Sequence, residues 1–586
     1  MFHSTDGYLR DGLCKQLNAL YQCFPSEVEF YLCQLLNILL HNKNFKVLAD
    51  FIFDKCRESQ HFATQTCFLL SAMGDHGSTR WINKCKKLLV KVEASIPADD
   101  RVKEKLELPP PEENGTVPPT PEKEKKDKKE STEGGESGIE PEMSPKIRKP
   151  FARATRRAGK DYFFQNLNFL KELVAISQKL TQKFSQPELY VSELQKNLEG
   201  LNKFIEDGVA FMPSYSTARH LVLKVNSELC YPIPTFGRVL YYLMMEVVAI
   251  PGSLVQPQGV KEYMSTLMEG NQVPDEKENS TVDGNDEYEN SENTDPGLVS
   301  AFGENWIQRC KRLRAQSEFG KLLGWDSCAY IIKQGDFVLQ EQFVMQMFVQ
   351  FQRIFDKERV PIRLRIYRIM ALSSDSGIIE VVPNALSVDK LKQQMEGGNL
   401  RNFFKQQWPD KADYNKATTN FVQSLAAYSL VCYFLQIKDR HNGNIMMDTD
   451  GNLLHIDFGY LLTRTIEFEK APFKLTEEFI DVIGGEKSKL FQRYEELCVQ
   501  GFFAIRKHYR KILTLVEMTM TQPIMGGQFL PCLNKGSVLK NLRKRFHLED
   551  NTRIEALVKD LIKESRDNWR TNIYDAYQNI LQGIRC

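Results

Sequence analysis

The sequence predicts an α+β protein with two lobes, a smaller mixed α/β lobe and a larger, mainly helical lobe, preceded by an all-α domain. Three observations support this fold class. Apolar residues recur at three- and four-residue spacing up to about residue 95, which is typical of amphipathic helices. Runs rich in β-branched and aromatic residues lie between 210 and 382. After 383 the pattern is helical again, apart from one hairpin-like stretch.

Composition excludes several classes of protein. The chain has 586 residues, a formal net charge of +1 and 42% hydrophobic residues, so nothing in its overall charge favours nucleic acid, and we expect no nucleic-acid partner. Its 13 cysteines include no C-x-x-C pair, which suits a reducing compartment. The first residues lack the pattern of a secretory signal, and the longest apolar runs are too short to cross a bilayer. These features predict a cytoplasmic protein with peripheral membrane contact at most.

Residues 1–95 are predicted to form a helical domain from several short amphipathic segments. Stacked helix pairs with a partner-binding face and a simple bundle both fit this pattern. Residues 96–157 are rich in Pro, Lys, Glu, Ser and Gly, which predicts a disordered linker. The Thr-Pro and Ser-Pro pairs at 120–121 and 144–145 fit either phosphorylation or a passive linker. Helical pattern returns over 158–209, predicted as a connector.

The smaller lobe is predicted over 210–382, with a second disordered insert at about 269–297. Its predicted strands are "ARHLVLKV", "RVLYYLMMEVVAI", "CAYIIKQGD", "IRLRIYRIMAL" and "GIIEVV". A helix is predicted over "VLQEQFVMQMFVQFQRIF". The larger lobe is predicted over 383–586. The junction of two such lobes is a common place for a ligand cleft.

The most informative stretch is "QIKDRHNGNIMMDTDGNLLHIDFGY", residues 436–460. A buried helix, "FVQSLAAYSLVCYFLQI", leads into it, and Asp450-Gly451 marks the turn of a predicted hairpin. Asp439, Asn444 and Asp457 should therefore lie close together, at the ends of rigid elements. The alternative is that these polar residues only decorate the hairpin.

An Asp followed by Asn five residues later and by Asp-Phe-Gly thirteen residues after that is the spacing of a phosphoryl-transfer site. Asn444 and Asp457 would supply oxygen ligands to magnesium. Asp439 or His441 would orient the attacking hydroxyl and accept its proton, and spacing alone does not decide between them. Arg440 either has a role in the stretch "KDRHNGN", residues 438–444 and here called the catalytic loop, or merely pairs with a neighbouring carboxylate.

A site for ATP also needs a cation near the phosphates. Lys333 lies in the predicted strand "AYIIKQGD", upstream of the helix that carries Glu341, and such a strand lysine paired with a helix acid places phosphates in kinases. A G-x-G-x-x-G loop is absent from the sequence. The nearest substitute is "AQSEFGKLLGW", where Ser317 and backbone amides would cover the phosphates.

The motifs "KDRHNGN", "HIDFG" and "IIKQGD…QE" together resemble the phosphatidylinositol 3-/4-kinase superfamily, which carries Asp-Arg-His where ordinary protein kinases carry His-Arg-Asp. The stretches "FGENWIQRCKRLRAQSEFGKLLGW", "SSDSGIIEVVPNALSV", "APFKLTEEFIDVIGG" and "LKNLRKRFHL" narrow the resemblance to its type III beta phosphatidylinositol 4-kinases. Residues 27–95 resemble the lipid-kinase-unique helical domain of that branch. The similarity covers 27–95 and 300–586 well, and 158–268 loosely.

This resemblance implies a bilobal lipid kinase that phosphorylates the 4-hydroxyl of phosphatidylinositol, with ATP and Mg²⁺ as cofactors and Mn²⁺ as an alternative metal. Lys333 would contact an ATP phosphate, with Glu341 supporting it. The residues that would line the adenine pocket are Tyr367, Ile379, Glu380, Val381 and Val382, with the hinge following Glu380. The segment from Asp457 to Thr476 would be the activation loop that reads the inositol headgroup.

Two departures from the family pattern concern the helix start and the activation loop. The family's Gly-Asp-Asp-Leu-Arg-Gln is replaced by "GDFVLQ", with Phe337 and Leu339. The activation loop is short, and Arg464, Lys470 and Lys474 are spaced singly in it. This spacing suits a headgroup with a single phosphodiester, which favours phosphatidylinositol as the substrate.

The C-terminal segment "DNWRTNIYDAYQNILQGIRC" presents one apolar helical face with arginines nearby. That face comprises Trp569, Ile573, Tyr577, Ile580 and Ile584. It would lie in a bilayer interface or dock onto the larger lobe, and periodicity alone leaves both open. Likewise, the basic stretch "LKNLRKRF" would face anionic lipid or form an ordinary solvated helix face.

Other activities also share these motifs. The alternatives are a phosphatidylinositol 3-kinase, a protein kinase of the related giant family, and a non-catalytic scaffold with a kinase fold. Retention of Lys333, Asp439, Asn444 and Asp457 argues against a scaffold. The resemblance further implies a Rab-family small GTPase and a calcium-sensor protein as partners, and Golgi membranes as the location.

Overall fold

The computed structural model describes most of both lobes and of the helical region. The residues described are 7–41, 46–75, 77–96, 162–207, 210–212, 219–235, 237–250, 301–394, 399–462, 469–520, 530, 533, 537–549, 553–566 and 568–585. The predicted linker (apart from residue 96), the predicted insert and the two candidate phosphorylation sites lie outside this set, so their disorder and modification stay predictions.

The N-terminal region is helical, as its apolar spacing predicts. Its helices are α1 (Gly7–Cys23), α2 (Pro25–Phe30), α3 (Leu32–His41), α4 (Lys46–Glu58), α5 (Gln60–Gly74) and α6 (Thr79–Ser95). Ser59 and Ser78 cap α5 and α6 by accepting a hydrogen bond from a backbone amide of the first turn. Helix α3 is buried along nearly its whole length, because it contacts the helix Tyr509–Thr519 of the larger lobe as well as the neighbouring N-terminal helices.

Two connector helices, α7 (Tyr162–Gln182) and α8 (Tyr190–Asp207), cover one face of a sheet. The Ser177 hydroxyl on α7 donates to the Val239 carbonyl at 2.8 Å, and the Tyr241 hydroxyl donates to the Leu173 carbonyl at 2.7 Å. These buried polar side chains satisfy backbone groups at the helix–sheet contact, which fixes the position of α7.

The smaller lobe is built on an antiparallel sheet that has seven strands in the described part of the chain. These are β1 (Phe211–Met212), β2 (Arg219–Val225), β3 (Tyr231–Thr235), β4 (Arg238–Ile250), β5 (Trp325–Gln334), β6 (Ile369–Ala371) and β7 (Ser376–Glu380). Their order is β1-β2-β4-β5-β7-β6, with β3 also pairing with β4. Helix α9 (Trp306–Gln316) precedes β5, and helix α10 (Val338–Lys357) follows it.

One strand prediction is wrong for part of its length. Of "IRLRIYRIMAL", only Ile369–Ala371 forms a strand. The preceding residues alternate between buried and exposed, as the sequence pattern predicts, but side chains take their amides. The Leu364 amide donates to the Gln352 side chain and the Arg365 amide to the Tyr428 hydroxyl, so these amides do not join a strand ladder.

The larger lobe begins with β8 (Ala385–Ser387), which pairs with a hairpin of β9 (Ile445–Asp448) and β10 (Leu453–His455). Its helices are α11 (Val388–Gln394), α12 (Leu400–Gln407), α13 (Lys411–Leu435), α14 (Glu477–Val482), α15 (Lys489–Lys507), α16 (Tyr509–Thr519), α17 (Val538–Arg545), α18 (Ile554–Ser565) and α19 (Trp569–Gln582). The long helix α13 is almost completely buried in its second half, and it delivers the chain to the stretch that begins at Gln436.

The helical region contacts α10 and α16 directly. The Gln34 side chain is fully buried and donates to Gln346 on α10 at 2.8 Å and to Thr519 at 2.9 Å. Ser374, in the turn between β6 and β7, donates its amide to Asp75 at 2.8 Å. The helical region therefore braces the helix that carries Glu341.

No helix of the described residues is long and apolar enough to span a membrane.

Candidate active site

The hairpin brings the two ends of the "KDRHNGN…HIDFG" stretch together. Strands β9 and β10 pair in antiparallel register, with His455 opposite Ile445. The Ile456 amide then donates to the Asn444 carbonyl at 3.1 Å, so the residues flanking the hairpin remain adjacent. Gly451 adopts a φ of 84°, the left-handed conformation that the Asp-Gly turn requires. The predicted hairpin is present, and its role is to place Asn444 beside the segment that carries Asp457.

Lys333 lies among three carboxylates. Its Nζ atom is 2.6 Å from Glu341, 2.7 Å from Asp336 and 3.8 Å from Asp457. The Lys333 and Glu341 side chains are 8% and 3% exposed, whereas the Asp457 side chain is 40% exposed. The structure therefore joins the strand lysine to the helix acid as predicted, and Asp457 is the member of this group that solvent in the cleft reaches.

These charges shift each other's protonation. Burial alone would lower the pKa of Lys333, but the carboxylates of Glu341, Asp457 and Asp336 raise it above its usual value. Burial raises the pKa of Glu341 to about 7, against the opposing effect of Lys333. Burial acts on Asp457 in the same sense, yet Lys333 and Arg440 hold the pKa of that carboxyl below its usual range. Lys333 is thus cationic and Asp457 anionic at neutral pH.

The three carboxylates have more negative charge than one lysine compensates. Oxygen atoms from Asp336, Glu341 and Asp457 all lie within 4.8 Å of one another. Carboxylate oxygens are the ligands that magnesium prefers. The group therefore fits a further cation at its exposed edge, which is the edge formed by Asp457.

Two acidic residues of the site have left-handed backbone conformations. The φ angles are 67° at Asp439 and 60° at Asp457, a region that residues other than glycine seldom occupy. Such backbone strain concentrates at functional sites, where surrounding contacts maintain it.

Arg440 supplies several of these contacts. Its guanidinium, fully buried, donates to the carbonyls of Lys438 (3.0 Å), Ile456 (2.8 Å) and Asp457. Arg440 thus holds the catalytic loop against the Asp457 segment and positions the other side chains.

His441 and Asn444 flank Asp439. The Gly443 amide donates to Nδ1 of His441 at 3.1 Å, and His441 Nε2 lies 3.7 Å from an Asp439 oxygen. Burial lowers the pKa of His441, so the imidazole is neutral at neutral pH, and its proton is on Nε2, the side facing Asp439. A side chain at Gly443 would press on the His441 ring at 3.0 Å, which accounts for the glycine.

Asn444 uses its amide nitrogen on the protein, donating to the Asp439 carbonyl at 2.9 Å. Its amide oxygen is then the atom left to accept a cation. Asn444 and Asp457 are thus both able to present an oxygen ligand, and their binding of magnesium stays a prediction.

Two residues that support the site were not predicted from the sequence. The Gln340 side chain, fully buried on α10, donates to the carbonyls of Phe458 at 2.8 Å and Gly459 at 3.1 Å, which ties α10 to the Asp-Phe-Gly segment. Glu469 accepts a hydrogen bond from the Asp439 amide at 2.5 Å. No local signal identifies either contact, because the partners are 118 and 30 residues apart in the sequence.

The C-terminal helix α19 docks onto the catalytic loop. The Tyr574 hydroxyl donates a short hydrogen bond to Asp439 Oδ1. Lys474, whose side chain is 1% exposed, pairs with both oxygens of Asp575 at 2.7 and 2.9 Å and donates to Asn442 at 3.0 Å. Lys474 therefore anchors α19 in this structure, and its contact with a headgroup stays a prediction. Lys470 is exposed, and Arg464 lies outside the described residues.

Docking leaves the opposite face of α19 open. Thr571, Tyr574, Asp575 and Gln578 are buried against the lobe, whereas Ile573, Tyr577 and Ile580 are 55%, 54% and 84% exposed. The backbone of Trp569 begins α19, and its side chain lies outside the described part. The two readings of this helix are therefore compatible, because docking uses one face and Ile573, Tyr577 and Ile580 of the predicted apolar face remain accessible. Ile584, also predicted on that face, lies beyond the end of α19 and is half-buried.

The predicted nucleotide-binding residues lie along β5 and β7. Lys333 is opposite Gly377 in the paired strands, and β7 continues through Glu380 into the link to β8 in the larger lobe. That link includes Val381, whose amide donates to Ala329 at 3.0 Å, and Val382. The predicted hinge thus connects the two sheets.

Two other nucleotide predictions have local partners instead. The buried Tyr367 hydroxyl donates to the His455 carbonyl at 3.5 Å, and Ser317 donates to Glu246 and caps the Phe319 amide at 3.0 Å. Contacts of Tyr367 and Ser317 with ATP therefore stay predictions.

Two family models match the chain. Residues 327–528 match the model described as "Phosphatidylinositol 3- and 4-kinase", and residues 2–71 match "PI4KB/PIK1, accessory (PIK) domain". The first spans Lys333, the catalytic loop and Asp457, and the second covers most of the N-terminal helical region. The α+β bilobal architecture behind a helical domain is therefore confirmed.

Named relatives agree with these models. A "Phosphatidylinositol 4-kinase" of Dictyostelium discoideum is 42% identical over 50% of this chain and 25% of its own length. A "Phosphatidylinositol 4-kinase beta" of Danio rerio is 28% identical over 97% of this chain and 78% of its own length. That of Xenopus laevis is 40% identical over 50% of this chain and 36% of its own length.

The matched part thus covers 25% of the Dictyostelium relative, 36% of the Xenopus relative and 78% of the Danio relative. Together, these matches show a phosphatidylinositol 3- and 4-kinase domain behind a PI4KB/PIK1 accessory domain, in a chain that along nearly its whole length is similar to a phosphatidylinositol 4-kinase beta.

Proposed function

We propose that this protein transfers the γ-phosphate of ATP to the 4-hydroxyl of phosphatidylinositol at a membrane surface, which yields phosphatidylinositol 4-phosphate. The observation that carries the proposal is the buried Lys333 among Glu341, Asp336 and Asp457, joined by Arg440 to a loop that presents Asp439 and Asn444. The names of the relatives support phosphatidylinositol as the substrate class and the 4-hydroxyl as the acceptor.

In this proposal each charged residue has a defined task. Lys333 neutralises an ATP phosphate, and Glu341 holds the lysine side chain in place. Asp457 and Asn444 hold Mg²⁺ through oxygen atoms, with Mn²⁺ as an alternative. Bound magnesium and ATP supply the transferable phosphoryl group and the charge that stabilises its transfer.

Asp439 is the proposed proton acceptor. His441 already uses its unprotonated nitrogen on the Gly443 amide, so it serves as a hydrogen-bond donor that faces Asp439. The Tyr574 hydroxyl donates to Asp439, so this carboxylate already accepts a hydrogen bond from an O–H group. A substrate hydroxyl requires the same geometry.

Peripheral membrane docking is proposed for the exposed face of α19. Ile573, Tyr577 and Ile580 form an apolar strip on the side of α19 away from the catalytic loop, which suits insertion at a bilayer interface. Vesicle binding by Ile580→Asp tests this, with Leu189→Asp, at an exposed site on the connector, as the matched control. Equal binding by the two variants would contradict the assignment. Golgi membranes, a Rab-family GTPase and a calcium sensor are proposed from family resemblance alone, and co-flotation with Golgi-derived membranes would test the first.

The main test is a transfer assay with labelled ATP, Mg²⁺ and either phosphatidylinositol vesicles or a protein substrate. The proposal requires label on the lipid, and chemical degradation of the headgroup should place it at the 4-position. Label at the 3-position would convert the assignment to a 3-kinase. Label on protein alone, or no transfer, would refute lipid kinase activity.

A further inference from the structure

A cavity of about 390 Å³ lies in the larger lobe, away from the residues assigned to catalysis. Its walls come from the end of α13, from Leu462 and from α17. None of Lys333, Asp439, Asn444 or Asp457 lines it. The volume is within the range of small-ligand sites.

One side of this cavity, here called the α17 cavity, is cationic. Lys544 and Arg545 line it, together with His547, whose pKa is lowered by burial so that its imidazole is neutral, and no carboxylate of the described residues does. Among the residues that the structure describes, no carboxylate lies within ion-pair distance of Lys544 or Arg545. Arg506 donates to the His547 carbonyl at 2.8 Å, which adds a further positive charge close by. This excess positive charge favours an anionic occupant.

The other side of the α17 cavity is apolar. Phe434, Leu462 and Leu542 contribute to it, and Leu542 is almost fully buried. Phe434 is fully buried as well, so the apolar surface that an occupant can reach is the half-buried side chain of Leu462. A ligand that joins a phosphate to an apolar body would satisfy both sides.

Contacts with Tyr433 hold Arg545 and His547 in position on the cationic side. The Arg545 guanidinium donates to the Tyr433 carbonyl at 3.0 Å and stacks over the Tyr433 ring at 5.0 Å. The Tyr433 hydroxyl pairs with His547 Nε2 at 3.0 Å. Lys544, by contrast, is exposed and therefore free to reach a ligand.

We propose that the α17 cavity binds the phosphate headgroup of an anionic phospholipid, with the phosphate on Lys544 and Arg545 and the adjoining apolar part on Leu462. The site is separate from the substrate cleft. Leu462 also donates its amide to the Leu435 carbonyl at 2.8 Å, so an occupant contacts the segment that leads into the catalytic loop.

The test measures flotation of the full chain with phosphatidylcholine vesicles that contain phosphatidylinositol 4-phosphate, against phosphatidylcholine alone. Lys544→Gln is compared with Lys540→Gln, an exposed lysine of the same helix that does not line the cavity. A surface lysine near anionic lipid contributes about fivefold to affinity, so Lys540→Gln should lose no more than that. Loss of a charge-assisted bond to a seated phosphate should lower the affinity of Lys544→Gln about tenfold or more.

A third variant, Asn541→Tyr, narrows the cavity without changing its charge. It should also weaken binding to anionic vesicles, with an unchanged melting temperature. Equal losses in Lys544→Gln and Lys540→Gln, or full binding by Asn541→Tyr, would overturn the cavity in favour of surface attraction alone. Displacement from vesicles by an equimolar soluble inositol phosphate would overturn the lipid assignment.

Discussion

Two buried lysines of this protein, Lys333 and Lys474, have different charge environments. Lys333 in the smaller lobe has carboxylates of three residues within 4 Å, and one of them is 40% exposed to the cleft. Lys474 in the larger lobe has one carboxylate partner, Asp575, and both side chains are less than 10% exposed. The first group has an excess of negative charge, whereas the second is neutral as a pair.

The difference separates a binding site from a structural contact. Burying charge is costly unless it is compensated, and Lys474 with Asp575 and Asn442 provides that compensation internally. Around Lys333 the compensation is incomplete, and the uncompensated part faces solvent at Asp457. A cation bound there would complete it, which is the expected behaviour of a magnesium and ATP site.

The largest expected effect, a loss of phosphate transfer, comes from a change in the group around Lys333. Asp457→Ala removes the exposed carboxylate proposed to hold the cation, and phosphate transfer should fall by at least about 10²-fold, the size of effect seen when a charge-stabilising group is removed. Transfer from labelled ATP to phosphatidylinositol measures it. Asp326→Asn, at an exposed position of the same sheet, is the matched control and should retain activity. Near-normal turnover in Asp457→Ala would refute the site assignment.

Removing one charge of the Lys474–Asp575 pair should lower the stability of the fold. Lys474→Met leaves the Asp575 carboxylate buried without its cation, which costs about 3–5 kcal/mol. The double variant Lys474→Met, Asp575→Leu removes both charges and should recover most of the lost melting temperature. Thermal unfolding of the wild type, both single variants and the double variant measures this. A double variant no more stable than Lys474→Met would contradict the account of a self-compensated pair.

The smallest effect is expected for an exposed ion pair. Arg353 on α10 makes a bidentate contact with Glu27 of the helical region at 2.6 and 2.9 Å, and both side chains are more than 40% exposed. Water screens such charges, so Arg353→Ala should change stability by about 0–1 kcal/mol. Thermal unfolding again measures it. A loss as large as that of Lys474→Met would show that burial does not determine the strength of these pairs.

The sequence is sufficient to predict the parts of the site that depend on local pattern. The hairpin with its Asp-Gly turn, the strand that carries Lys333 and the helix that carries Glu341 all follow from short-range spacing. The pairing of Lys333 with Glu341, seen at 2.6 Å, was predicted from the arrangement of a strand lysine and a helix acid in kinases and not from spacing alone.

Contacts made by distant segments were not predictable in this way. Tyr574 meets Asp439 across 135 residues, and Lys474 meets Asp575 across 101. Lys474 was predicted to read the headgroup because it follows the Asp-Phe-Gly motif in sequence, yet tertiary packing buries it against α19. The strand predicted from Ile362 is short for a related reason, since side chains of Gln352 and Tyr428 take its backbone amides.

The most direct test of the central claim, that the Lys333 group is an incomplete site completed by magnesium and ATP, is equilibrium binding of ATP with and without Mg²⁺. Wild-type protein should bind ATP more tightly when Mg²⁺ is present, and Asp457→Asn should lose this difference while Lys470→Gln, at an exposed lysine of the activation loop, keeps it. An equal dependence on Mg²⁺ in wild type and Asp457→Asn would contradict the claim.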